Sequence, residues 1–188
     1  MRALICVFAL ATSPALAEGP LSEVSGNWAG DSNAGFYFRA TLTQAGDAAR
    51  LRIWHDINAV PLDGDPQFDN PEIALGAFAT LQRLDVVDTA DGAGLIVVTE
   101  FADEEGEGRE ELYIRYIDNQ FTVTAINITS VRYDAEAAQA SFTCEVDMLQ
   151  DRAIVDGEAR DLPPMDFEQK NASLWTYGAA FDWGLCTG

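Results

Sequence analysis

His55, the only histidine of the chain, sits in the stretch LRIWHDIN (51–58), behind Trp54 and beside Asp56. A histidine next to an aspartate suggests a general-base dyad, and an imidazole among carboxylates suggests a metal site. The alternation of the stretch argues against the dyad. In a β-strand neighbouring side chains point to opposite faces, so Asp56 cannot orient the ring of His55. His55 shares its face with Leu51, Ile53 and Ile57, opposite Arg50, Arg52, Trp54 and Asp56. This predicts a core histidine or one lining a cavity where a ligand meets it, with Arg50, Arg52 and Trp54 on the more exposed side. A site built from several histidines is excluded by count.

Other chemistries leave fewer traces. There is no Gly-x-Ser-x-Gly elbow and no glycine-rich phosphate loop. Cys144 falls on the inward face of SFTCEVDML (141–149), more like a disulfide partner than an activated thiolate. Paired carboxylates of the glycosidase kind need two facing acids, and acids are so abundant here that no pair stands out. Two acidic stretches invite a metal test. In DGDPQFDN (63–70), Asp63, Asp65, Asp69 and Asn70 could converge on calcium, which takes oxygen ligands from flexible loops. Phe68 stands where an EF-hand has its glycine, so the spacing is not that motif. DEEGEGREE (103–111) reads as a charged hairpin loop that discourages edge-to-edge aggregation. Calcium is the one cofactor for which the sequence offers a site.

The C-terminal LWTYGAAFDWGLCTG is the most aromatic part of the chain, with Trp175, Tyr177, Phe181 and Trp183 close together. It reads either as a hydrophobic plug closing the sheet or as an aromatic platform for a ligand. Candidate ligand-contacting residues are therefore His55, Trp175, Tyr177 and Trp183.

Period-two alternation dominates the elements that must carry these residues. Strands are expected at 25–30, 36–44, 50–58, 78–88, 94–101, 110–117, 120–129, 141–149 and 152–157. Turn signals separate them: Gly46 in QAGDA, Asp91-Gly92 in TADGA, and Asp118-Asn119 as a two-residue hairpin turn. YDAEAAQA (133–140) is the one helix candidate, and 60–77 and 157–173 read as long loops. The expectation is an all-β fold of about eight or nine antiparallel strands, a single barrel with a β-sandwich as the alternative.

The chain has 188 residues, which favours one domain after removal of a targeting segment. Met1-Arg2, the apolar Ala3–Ala11 and Ala15-Leu16-Ala17 have the form of a signal peptide over 1–17, leaving one β domain at 18–188. The protein is therefore expected to be exported, soluble, and periplasmic or extracellular, with no membrane span. Cys6 leaves with the signal, and Cys144 and Cys186 remain as a pair in an oxidising compartment, which reads as a disulfide. A loop of that length is worth about 4 kcal/mol by chain entropy. The formal net charge is −20, or −21 once Arg2 is removed, and Lys170 is the only lysine. Such a surface repels a phosphate backbone, so nucleic acid is excluded as a partner. Cations, basic proteins and neutral ligands remain.

SGNWAG (25–30) places Gly26-x-Trp28 at the start of the first expected strand. This resembles the Gly-x-Trp of calycins, the lipocalin and avidin-like barrels. The resemblance implies an up-and-down barrel with an interior ligand cavity, and a structural role for Gly26 and Trp28, the Trp packing at one end. An arginine often packs over that Trp, and Arg152 and Arg160 both remain open for the part. The leading functional expectation is a non-enzymatic binding protein holding a small apolar ligand inside the barrel. One alternative is a periplasmic protease-inhibitor or protein-binding module acting through a mobile N-terminus near Glu18–Val24 or the long loops. A second alternative is a carboxylate-based hydrolase.

Overall fold

Hairpin turns set the path of the chain. The structure, a computed structural model, describes residues 20–30, 35–58, 64–76, 79–89, 92–133 and 140–187. The expected signal peptide, 1–17, and most of the helix candidate, 134–139, lie outside the described residues. Eleven strands are formed: β1 Ser22–Asn27, β2 Tyr37–Ala45, β3 Ala48–Asp56, β4 Phe68–Leu75, β5 Ala79–Thr89, β6 Gly92–Ala102, β7 Gly106–Ile117, β8 Gln120–Arg132, β9 Ala140–Asp147, β10 Arg152–Val155 and β11 Glu158–Asp161. Asp118 and Asn119 both take positive φ (50° and 65°), as the two-residue turn between β7 and β8 demands.

The all-β expectation holds, and of its two architectures the layered one is found. The strands form two antiparallel sheets, β1-β2-β3-β4 and β11-β10-β9-β8-β7-β6-β5, neither of which closes into a barrel. Within each sheet every strand pairs with its neighbour in sequence. Barrels of about eight strands have interiors that side chains just fill, so closing eleven would leave a wide lumen. The sheets instead part between β4 and β5 and bury their inner faces on each other. Beside β1, Leu84 N donates to Ser22 Oγ (3.0 Å) where a barrel would have a ladder. On the opposite side the C-terminal segment is wedged between β4 and β8. There Tyr177 N donates to the Glu72 carbonyl (3.3 Å), and Asn171 forms an isolated bridge with Thr122. One continuous cluster of buried residues runs through both sheets and this segment, from Trp28 and Phe38 to Trp175 and Leu185.

Two of the expected loops contain strands. β4 lies within 60–77, where Pro71 argues against a strand because it cannot donate to a ladder. β4 is an edge strand, and its pairing with β3 steps from Ala49↔Ala74 to Leu51↔Asn70, so the proline falls in a bulge. β11 lies within 157–173 and is joined to β10 by Asp156-Gly157, both at positive φ (49° and 83°). The rest of that stretch holds two single turns, α1 Phe167–Lys170 and η1 Ala172–Leu174, and α2 Ala179–Asp182 follows. Asp166 caps α1 with a capping box. DEEGEGREE is not all loop, since β7 begins at Gly106. Among the described residues no helix is long and apolar enough to cross a membrane.

Candidate functional site

His55, the last residue but one of β3, lies inside a cluster of rings. Its centroid lies 4.6 Å from Tyr116, 4.8 Å from Phe36 and 5.3 Å from Phe121. It is half-buried, neither sealed in the core nor free in solvent. Burial lowers its pKa, and the nearby Asp56 carboxylate opposes that only in part. Asp56 accepts hydrogen bonds from Asn58 and not from the imidazole, as the strand geometry requires. Trp28 stacks on Phe38 at 3.9 Å and also faces Tyr116 and Phe121 at the same end of the sandwich. Gly26 makes room for that stack, since a Cβ there would lie 2.5 Å from the Phe38 ring. Two polar atoms in this cluster, His55 Nδ1 and Trp28 Nε1, are buried without a hydrogen-bond partner.

The other side of β3 differs from the sequence expectation. Trp54 is buried (9 % exposed), and its Nε1 donates to the Gly64 carbonyl (2.7 Å). Ile57 lies past the strand end and is 72 % exposed. Arg50 and Arg52 both meet Asp69 on β4: Arg50 Nε donates to Oδ1 at 2.6 Å, and Arg52 Nε is 3.6 Å from Oδ2. Hydrogen bonding from Arg50 holds the Asp69 carboxylate below its ordinary pKa. Of the four proposed calcium ligands, Asp69 is thus on a strand and engaged by two arginines, Asn70 is buried with its amide on the Ala172 and Trp175 carbonyls, Asp65 is exposed, and Asp63 lies outside the described residues. No three His, Cys, Asp or Glu side chains converge among the described residues.

The C-terminal aromatics separate. Trp175 is 1 % exposed and packs edge-on to Trp183 at 4.8 Å, as part of the wedge between the sheets. Tyr177 lies outside it, against Phe101 at 6.4 Å. The expected disulfide is present between Cys144 on β9 and Cys186, with a Cα–Cα distance of 5.7 Å. Arg160 on β11 donates to the carbonyls of Leu185 (2.8 Å) and Gly184 (3.1 Å), fastening the same tail. The N-terminal end of the described chain is also tied down, with Leu21 N donating to the Leu42 carbonyl at 2.8 Å and β1 beginning at Ser22.

The most organised polar surface escaped the sequence reading. On β7 the outward residues Glu107, Arg109, Glu111, Tyr113 and Arg115 alternate with Gly108, Glu110, Leu112 and Ile114 on the inner side. Arg109 donates to Glu100 on β6 (2.7 Å) and twice to Glu111 Oε1 (2.6 and 2.9 Å). Tyr113 Oη donates to Glu111 Oε2 (2.9 Å) and accepts from Asn127 Nδ2 on β8 (3.3 Å). Partial burial works against the Glu111 charge, yet the bonds from Arg109, Tyr113 and Asn127 hold its pKa below the ordinary value.

Glu100, Arg109, Glu111 and Asn127 of this network line a trough that runs along the strands on the outer face of the larger sheet. Three clefts of about 380, 230 and 500 Å³ adjoin there. The first two share Arg109, Thr129 and Thr143, and the last two share Asn127 and Glu145. Bulges bend the sheet at both ends of it. β5 has Thr80 as an extra residue opposite β6, and β8 has Thr124 opposite β7. Each inserted threonine lines the trough. An inserted residue bends its strand and increases the local twist, which turns a flat sheet face into a hollow one. The alternation of charges along 107–115 was the available sequence signal, hidden because its first half looked like a hairpin loop.

The inner side of the same strand carries one carboxyl, Glu110, at 6 % exposure. It lies between Thr99 on β6 and Ile128 on β8, with Gln82 one strand further on. Burial pushes its pKa up to about 7. Tyr177 is close enough that the Glu110 charge, after burial, helps raise the phenol's pKa. Gln82 Nε2 in this row is buried without a partner.

The chain matches no family model, no curated protein and no solved structure.

Proposed function

We propose that this is an exported, non-enzymatic binding protein whose ligand lies in the trough on the outer face of the seven-stranded sheet. The observation that carries the reading is the linked set Glu100–Arg109–Glu111–Tyr113–Asn127, which fixes donors and acceptors across three strands before any ligand arrives. Preorganised polar groups bind well because little ordering remains to be done on association. Support for binding over hydrolysis comes from the state of the carboxyls. A glycosidase pairs a carboxyl held protonated with an ionised one, and Glu111 in the trough, held ionised, could fill only the second part. Glu110, which is pushed towards neutrality, faces the opposite side of the sheet. The disulfide is compatible with export. Amide chemical-shift mapping with a fragment library tests the seat. Hits should cluster on the outward residues of β6–β10, and a library that perturbs only other surfaces would sink the proposal.

A second reading retains the apolar ligand of the calycin resemblance. Its support is the aromatic end of the sandwich, where His55 Nδ1 and Trp28 Nε1 are orphaned among Phe36, Phe38, Tyr116 and Phe121. Quenching of tryptophan fluorescence by an apolar probe, lost on Trp28→Phe, would favour it over the trough.

A further inference from the structure

We infer that the trough takes an extended, uncharged, hydroxyl-bearing chain, an oligosaccharide, laid along the strands; this rests on the trough being the ligand seat. Charge comes first. The charged residues lining the trough are Arg109, Arg115 and Arg152 against Glu100, Glu107, Glu111, Glu145 and Asp147. The lining therefore carries three positive and five negative groups, inside a protein of net charge −20. An anionic chain meets repulsion on both scales. A cationic chain finds Glu100 and Glu111 already paired with Arg109, Glu107 bonded by the Tyr133 hydroxyl and Asp147 accepting the amides of Leu149 and Gln150, so at four of the five carboxylates it would have to compete with a donor held in place. An uncharged hydroxyl needs no such exchange. It can donate to a carboxylate oxygen and accept from a guanidinium N–H at once, and the Arg109–Glu111 pair presents both groups side by side.

Hydroxyls and amides make up much of the remaining lining: Thr129, Ser141 and Thr143 at one end, Asn127 in the middle, Thr89 and Gln150 at the other. These groups exchange hydrogen bonds with neutral polyols without a charge to desolvate. The Tyr113 hydroxyl bonds both Glu111 and Asn127, which fixes these two lining groups for a polyol. Size agrees with a chain and not a single small molecule. Residues rise about 3.4 Å along an antiparallel strand, so the run from Glu107 to Arg115 on β7 spans roughly 27 Å, room for about five sugar rings.

The test is a titration of labelled protein with uncharged hexasaccharides of β-glucan, α-glucan, mannan and chitin type. Hexagalacturonate and pentalysine serve as the charged arms. The expected result is binding of at least one uncharged hexasaccharide, with shifts confined to the outward residues of β6–β10. Asn127→Ala and Glu111→Gln should each weaken it by about tenfold or more while unfolding cooperatively like the parent. If none of the uncharged chains binds, or the shifts lie elsewhere, the inference is overturned. Preferential binding of the uronate or the peptide in the trough overturns the ligand class and leaves the seat standing. Cleavage of a bound hexasaccharide keeps the ligand class and overturns the non-enzymatic reading.

Discussion

Asn70 and Trp175 meet where the smaller sheet joins the C-terminal wedge. The Asn70 amide nitrogen donates to the Trp175 carbonyl (2.7 Å) and the Ala172 carbonyl (2.8 Å), and its oxygen accepts from Glu72 N (2.8 Å). The side chain is 2 % exposed. Removing it leaves buried carbonyls unpaired, which costs far more than a net hydrogen bond. Asn70→Ala should lower stability by about 3 kcal/mol in urea unfolding, and Asn70→Asp by at least as much, since a carboxylate would face two carbonyl oxygens.

Glu110 gives stability an unusual pH dependence. Its pKa is about 7 in the folded protein against an ordinary 4.5, so the folded state binds the proton more tightly than the unfolded chain. Stability therefore falls as pH rises from about 4.5 through 7 and then levels, a loss of about 3 kcal/mol. His55 works in the opposite sense: its pKa is lowered from 6.5, so acid destabilises as pH falls below that value. Urea unfolding of Glu110→Gln across this range should lose the falling limb and keep only slopes that rise with pH, from His55 and, at the acid end, from Glu111 and Asp69, and at alkaline pH the variant should be more stable than the parent. A parent whose stability stays flat from pH 6 to 8 would contradict the burial of a lone carboxyl there.

The Cys144–Cys186 bond and Arg160 hold the same tail, so the two should not act independently. Reduction, or Cys144→Ala with Cys186→Ala, should cost about 4 kcal/mol. Arg160→Ala should cost less in the oxidised protein than in the reduced one, because the disulfide already confines the segment the arginine holds. A double-mutant cycle read by urea unfolding measures the coupling.

Arg109 separates stability from recognition. Its side chain is 36 % exposed, as is that of Glu100, and exposed ion pairs contribute little. Arg109→Ala should shift stability by less than about 1 kcal/mol. It should nonetheless release the Glu111 and Tyr113 geometry, read as a rise in the Glu111 pKa by NMR titration. A Glu111 titration unchanged in this variant would mean the network is not organised by the arginine.

Much of the fold was legible because its physics is local. Alternation marks a half-buried strand wherever one face is wet, and Asp118-Asn119 marks a tight turn. The separation of His55 from Asp56 followed from the pleat alone. What stayed hidden depends on partners distant in sequence. β4 has a proline that only an edge position tolerates, and edges are a property of the sheet. Trp54 is buried with its Nε1 on the carbonyl of Gly64, ten residues away, and no pattern within its own strand foretells that. Asp156-Gly157 was the one missed local cue, a turn pair that marks β11. The trough was missed because it is built from a few residues on each of six strands, each ordinary alone and joined only by register. The parting of the sheets depends on how many strands the chain supplies, which was underestimated when β4 and β11 read as loops.

Thr80 and Thr124 have a consequence for how this surface can change over time. Each is the extra residue of a bulge, so the residues on either side already face as an unbroken ladder would have them. Deleting either threonine would leave Arg109, Glu111 and Asn127 on the outer face and their neighbours in the core. The curvature of the trough and the identity of its side chains are therefore separable traits. A lineage can flatten or deepen the hollow by gaining or losing one codon, without rewriting the chemistry it displays.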